Sequence, residues 1–156
     1  MNQQAKLKRL VAAHPFLAGL KPRVCEFFCG CASLRHYDKG QEILREGGKA
    51  EHFYLIERGQ VVLEVFAPGR GMVTIQAVGT GDALGWSWLF PPYQWHFSAT
   101  ATKPTTAIAF AAEFLREKAQ QNQEFCYELV VRLARVLAGR LDDVRTRLIY
   151  TYQQEA

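Results

Sequence analysis

Phe53-Tyr54-Leu55-Ile56-Glu57-Arg58-Gly59-Gln60-Val61-Val62-Leu63-Glu64-Val65-Phe66 is the stretch whose reading decides the fold. Phe53 to Glu57 and Gln60 to Phe66 are short runs rich in β-branched and aromatic residues, and Gly59 separates them. Runs of that length broken by a glycine read as strands joined by a turn. The same rhythm continues in both directions, through Glu42 to Leu44, Met72 to Val78 and Ser98 to Phe110. Gly40, Gly47, Gly48, Gly59, Gly69, Gly71, Gly79 and Gly81 mark the breaks. Pro68-Gly69-Arg70-Gly71 is a hairpin turn by composition. Many short strands at this spacing predict an antiparallel sandwich or barrel over residues 34–110.

Outside that region the period changes. Gln3 to Ala13 places Leu7, Leu10 and Val11 on one helical face. His14-Pro15-Phe16 interrupts it, because proline disfavours helical geometry in the residue before it. A second helix is expected from about Lys21, with Pro22 in its first turn. Residues 1–33 are therefore read as N-terminal helices, and residues 112–150 as C-terminal ones. In the latter, Val130, Ala134, Leu137, Leu141, Val144 and Leu148 step by four, three, four, three and four residues. That heptad seam is the signature of a helix that pairs with another helix, and a homodimer is the expected partnership. A helix lying on its own sheet needs only a slightly wider apolar stripe, which is the competing interpretation.

The bulk composition is that of a globular protein. The chain has 156 residues, 49% of them hydrophobic and 22% charged, enough for a single domain spanning 1–156. No apolar run is long enough to cross a bilayer, and no signal-peptide core is evident, so a cytoplasmic setting is expected and no membrane association. Cys25, Cys29, Cys31 and Cys126 are then expected to stay reduced. A net charge of +4 and a pI near 9.0 mildly favour anionic partners.

Three stretches carry a resemblance. Tyr37-Asp38-Lys39-Gly40-Gln41-Glu42-Ile43-Leu44-Arg45-Glu46-Gly47, Phe53 to Val61, and Gly81-Asp82-Ala83-Leu84-Gly85 resemble, in order and spacing, the cyclic-nucleotide-binding domain of catabolite-activator-like regulators. The resemblance covers roughly Phe16 to Leu148. It implies a mainly β fold with flanking helices: an eight-stranded antiparallel β-roll (a double-stranded β-helix or jelly roll) with N-terminal helices and a long C-terminal helix. In that family the closing helix covers the nucleotide and often forms the dimer seam. Gly40, Gly47, Gly59, Gly81 and Gly85 stand where such a roll needs positive φ or close backbone approach.

The phosphate-binding cassette departs from the family pattern. Nucleotide-binding relatives begin it glycine-glutamate and end it arginine-serine/threonine-alanine. The glutamate accepts a ribose hydroxyl and the arginine grips the cyclic phosphate. The matching segment here runs from Gly85 to Ala99, with Trp86 at the glutamate position, Ser87 following, and Ser98-Ala99 at the end. Phe97, or His96 if no gap is opened, stands at the arginine position. Losing such a contact costs roughly 2–5 kcal/mol, about enough to turn micromolar binding into millimolar.

Trp86, Trp88, Phe90, Tyr93, Trp95 and Phe97 place six aromatics within twelve residues. They form a rebuilt pocket for a small or nucleotide-like ligand, a filled core, or a patch for an unknown protein partner. Tracing the closing helix without gaps places Val144 and Arg145 near the base, so Arg145 joins the candidate ligand residues.

Other chemistries are poorly supported. The Cys25-x3-Cys29-x-Cys31 spacing fits neither compact zinc patterns nor ferredoxin runs, so no metal and no cofactor are expected. His14, His36, His52 and His96 are isolated. Ser33 and His36 lack a nucleophile elbow around them, and no enzyme activity is expected. Transcription factors of this family place a helix-turn-helix after the closing helix. This sequence stops at Ala156, so no direct DNA binding by the chain is expected. The functional expectation is a regulatory module with an altered ligand site that signals or scaffolds through its C-terminal helix. The alternatives are a sensor of a non-standard small ligand and the sensory part of a transcription regulator.

Overall fold

Two four-stranded antiparallel sheets face each other in the computed structural model, which describes residues 2–155. The strands are β1 (Ala32–Tyr37), β2 (Glu42–Leu44), β3 (His52–Arg58), β4 (Gln60–Ala67), β5 (Gly71–Gly79), β6 (Ala83–Leu84), β7 (Ser98–Ala101) and β8 (Thr105–Ala111). One sheet has the order β1-β8-β3-β6 and the other β2-β7-β4-β5. Phe53, Leu55, Ile108 and Phe110 from the first sheet and Val61, Leu63 and Ala99 from the second are buried in one core. The β-roll expected from the sequence is the architecture observed.

Gly59 shows why the quoted stretch turns where it does. Its φ is 126°, a conformation glycine alone adopts comfortably. A Cβ there would also meet the Thr105 Cα at 2.7 Å, so the β3–β4 turn is sealed against the start of β8. The Pro68–Gly71 segment closes the β4–β5 hairpin, with Gly69 and Gly71 both at positive φ.

The structure departs from the expected strands in three places. The roll begins at Ala32 rather than at residue 34, because β1 runs from Ala32 to Tyr37 and pairs with β8 through Ala32 and Phe110. As an edge strand it carries Ser33, Arg35 and His36, which hide the β pattern. Ser98 to Phe110 is two strands, since the chain crosses between the sheets at Thr102–Pro104. The two-residue β6 is too short for any periodicity to betray.

The N-terminal part forms α1 (Gln3–Ala13), a 3-10 turn at Pro15–Leu17, and α2 (Pro22–Cys29). The Asn2 side chain caps α1 by accepting from the Ala5 N–H at 2.8 Å. His14 ends that helix and ties it to the roll. Its Nδ1 accepts from the Phe16 N–H at 3.1 Å, and its Nε2 lies 2.9 Å from the Ile56 carbonyl oxygen. A carbonyl only accepts, so Nε2 carries the proton and the ring is neutral. Burial, against the opposing pull of the Ile56 carbonyl, holds the His14 pKa below its ordinary value.

The unfolded chain therefore binds the proton more readily than the folded one. Stability should fall as pH drops from 6.5 toward the lowered folded value, and be fully present above 6.5. His52, also lowered by burial and by Arg35, acts in the same sense. A pH series of thermal midpoints checks this: His14→Gln should flatten the loss between pH 7 and 5, and an unchanged slope would contradict the assignment.

The C-terminal part forms α3 (Ala112–Gln121) and α4 (Gln123–Glu155). Asn122 breaks them apart and caps α4, its Oδ1 accepting from the Phe125 N–H at 3.0 Å. Phe125 anchors α4 in an aromatic cluster, 5.1 Å from the Phe28 ring and 5.4 Å from Phe27. Further along, Gln76 donates to the Asp143 carboxylate at 3.1 Å and Arg147 donates to the Ile75 carbonyl, laying the distal half of α4 beside β5. Among the described residues, no helix is long and apolar enough to cross a membrane.

Candidate functional site

The segment from Gly85 to Ala99 leaves β6, makes a 3-10 turn at Ser87–Leu89 and returns into β7. Gly85 has φ 85°, and the Trp95 indole lies directly over it; a Cβ there would fall within 3.1 Å of the ring's Cη2. Trp95 in turn neighbours Tyr54 and Phe97, each 6.4 Å away between centroids. Trp86 meets Phe97 edge-on at 6.1 Å. Trp88 points the other way, fully buried against Phe53 at 5.1 Å. Trp88, Trp95 and Phe97 are all core residues, and Trp86 packs against that core. Burial, with Tyr37 beside it, pushes the pKa of the Tyr54 hydroxyl up to about 12.

The remaining cassette residues play separate parts. Ser87 and His96 pair with each other, Oγ to Nδ1 at 2.9 Å, with His96 exposed and Ser87 buried. Ser98 is buried and its Oγ accepts from the Glu46 N–H at 3.0 Å, fixing β7 to the β2 side. Ala99 is fully buried between Leu44 and Leu63 in the sheet. The structure thus brings Gly85, Trp86 and Phe97 together, and sets His96 to the outside.

Arg145 does not join them. Its side chain is exposed and pairs with Asp142 at 3.5 Å, and Val144 is exposed too. The residue of α4 that reaches the cassette is Arg140, one turn and a residue earlier. Its guanidinium stands 5.8 Å from the Trp86 ring, a cation–π contact, and donates to the Ala83 carbonyl. Burial lowers its pKa while Asp82 and Asp143 oppose the shift; arginine stays cationic regardless. Its position was legible in principle, because Leu129, Leu133, Val136 and Arg140 form an inward stripe with four-three-four spacing. A cation in register with an apolar stripe is the signal that marks it.

Arg116 of α3 is a second residue outside the sequence-based set. It donates to the Trp88 carbonyl at 2.6 Å and lies 4.1 Å over the Tyr93 ring, whose backbone has φ 57°. It clamps the cassette's outer loop to the helices.

The heptad residues occupy the neighbouring stripe of α4. Leu141 is 69% exposed, Val130, Val144 and Leu148 are also exposed, Ala134 is exposed, and Leu137 is half-buried. One helix therefore carries two adjacent seams, one against its own roll and one facing outward.

The cysteines are placed as small packing residues. Cys25 and Cys29 share a face of α2, and the Cys31 thiol points at the Phe27 and Phe28 carbonyls. Burial pushes the Cys31 thiol up to about 12 and, with the nearby Cys25, raises Cys29 as well. Thiols so raised are poor nucleophiles at neutral pH.

Comparison with known proteins gives a family match and a set of similar folds. The family model described as the cyclic nucleotide-binding domain matches residues 34–122. A putative cyclic nucleotide-binding protein from Geobacter metallireducens is 27% identical, with a TM-score of 0.74, over 90% of this chain and 99% of that one. The catabolite activator protein of Thermus thermophilus is 25% identical, with a TM-score of 0.68, over 87% of this chain and 63% of its own length. A cyclic nucleotide-binding domain from Methylobacillus flagellatus shares the fold at 18% identity, with a TM-score of 0.79 over 95% of this chain and 83% of that one. Among curated proteins no match was found.

Proposed function

The chain belongs to the cyclic nucleotide-binding domain family, and from that membership we propose a regulatory module whose own aromatic side chains occupy the nucleotide's place and whose output surface is the outward seam of α4. The observation that carries this reading is the packing of Trp86, Trp95 and Phe97 on one another and over Gly85. Trp86 offers no acceptor to a ribose hydroxyl, and Phe97 offers no cation to a phosphate. Arg140 supplies the guanidinium that this cassette lacks, but spends it on the Ala83 carbonyl and the Trp86 face. The closing helix is thereby held on the roll without a ligand. No catalytic role is assigned, and the four free thiols suit a reducing, cytoplasmic setting.

The outward seam is best covered by a second copy of the chain, since its apolar positions repeat in heptads and its flanks carry charges of both signs. Sedimentation with and without cyclic AMP tests both halves of the proposal. The parent should sediment at twice 17.7 kDa at tens of micromolar, unchanged by about 1 mM nucleotide. Leu141→Asp should sediment as the monomer with an unfolding midpoint close to the parent's. A monomeric parent, or a mass that responds to nucleotide, would contradict it.

A further inference from the structure

β1 is the outermost strand of its sheet, and its side turned away from β8 is bare. The Cys31 carbonyl accepts from the Ala111 N–H at 3.1 Å, and the pairing then runs without a bulge from Ala32–Phe110 to Tyr37–Thr105. Bonded and non-bonded pairs alternate along an antiparallel ladder. Ser33, Arg35 and Tyr37 therefore exchange their backbone bonds with β8, while Ala32, Leu34 and His36 turn their N–H and C=O groups outward. Among the described residues nothing pairs with these outward groups. A regular, open edge is a template for a further strand. No proline, glycine or bulge blunts β1, and its Arg35 is held by His52 Nε2 at 3.0 Å.

The edge opens on a cleft of about 650 Å³ between α1 and β1. Lys6 and Lys8 stand on its α1 side, and Ala32, Leu34 and His36 on its β1 side. Among the described residues no acid lines it, and neither lysine, both of them exposed, has an ion pair. Residues 1–36 hold six lysines and arginines against Glu26 alone. Three of those cations, Lys6, Lys8 and Arg9, lie on α1, whose first turn has no acid and whose last turn has no base. The helix dipole opposes that arrangement. Charge placed against a helix's own stability points to acid supplied by a partner.

We propose that an extended acidic segment of a partner protein adds to β1 as a further strand, its carboxylates on the α1 side facing Lys6 and Lys8. A polypeptide alone supplies N–H and C=O groups at the spacing of the edge, which a phosphate backbone does not. A lipid surface has no anchor here, because no large hydrophobic side chain is exposed among residues 2–36. A second copy pairing edge to edge would bring two sets of Lys6 and Lys8 onto one face, where like charges repel. Side chains on one face of a strand recur at every second residue, so the recognised pattern is an acid at alternate positions. β1 and β6 are opposite edges of the sheet and the cassette leaves β6, so the proposal stands whether or not the cassette is closed.

The test uses a terminally blocked octapeptide of alternating glutamate and valine as probe, followed by amide NMR and hydrogen exchange on the full chain. The peptide should saturate at one per chain with a Kd of about 0.5 mM or tighter at low salt. It should also slow exchange of the Ala32, Leu34 and His36 amides. Lys6→Glu combined with Lys8→Glu, both at exposed helical positions, should weaken binding at least about tenfold with the fold's spectrum retained. His36→Pro removes an outward N–H and no backbone bond to β8, so it should weaken binding as well. If that variant does not fold, the same peptide N-methylated throughout decides the matter, since it keeps the charge and loses the donors. No saturable shift up to about 5 mM would overturn the site. So would an N-methylated peptide that binds as tightly as the parent, or unchanged exchange at those amides. Exchange that slows with protein concentration alone would assign the edge to a second copy, and duplex DNA binding more tightly at the same lysines would assign it to phosphate; either result overturns the proposal.

Discussion

Replacing Trp88 by alanine should cost about 3–5 kcal/mol of folding stability. The indole is fully buried, 5.1 Å from the Phe53 ring. Among the described residues its buried Nε1 has no hydrogen-bond partner, so its contribution comes from packing and apolar burial. Truncation leaves a void between the cassette and β3 that the fully buried Phe53 and Phe110 do not easily fill. A domain of this size has only about 5–15 kcal/mol in total, so Trp88→Ala should populate the unfolded state measurably. Urea unfolding reads the change directly. A loss below about 1 kcal/mol would mean that the cassette is loosely packed and its aromatics do not close it.

Gly85→Ala should be nearly as damaging, for a different reason. At φ 85° an alanine is in the left-handed region, at a cost of about 1–2 kcal/mol. Its methyl would also press into the Trp95 ring, so that the indole has to move away from Tyr54 and Phe97. The two costs separate in a double-mutant cycle. In a Trp95→Ala background, Gly85→Ala should retain only the backbone part, a coupling of about 1–3 kcal/mol. Additive losses would show that Trp95 does not lie over Gly85.

The fold was open to sequence reading where composition and backbone demand coincide. Gly59 stands between two apolar runs, and only a glycine tolerates its φ and the approach of Thr105. Gly85 likewise combines a family position with a positive φ. Edge and corner elements were harder: β1 is a six-residue edge strand in which Ser33, Arg35 and His36 make half the composition polar, and β6 has two residues. At the site, the aromatic crowding was plain but its direction was not. Sequence spacing alone does not say that Trp88 turns toward Phe53 while Trp95 turns over Gly85. Arg145 stands five residues beyond Arg140, about 140° further round the helix, so a gapless trace that puts Arg145 toward the base turns Arg140 away.

The most direct measurement is titration calorimetry of the purified chain with cyclic AMP and cyclic GMP at pH 6 and pH 8. With Trp86, Trp95 and Phe97 packed together and His96 turned outward to Ser87, neither nucleotide should bind more tightly than about 100 μM at either pH. Binding tighter than that at either pH would contradict the filled cassette.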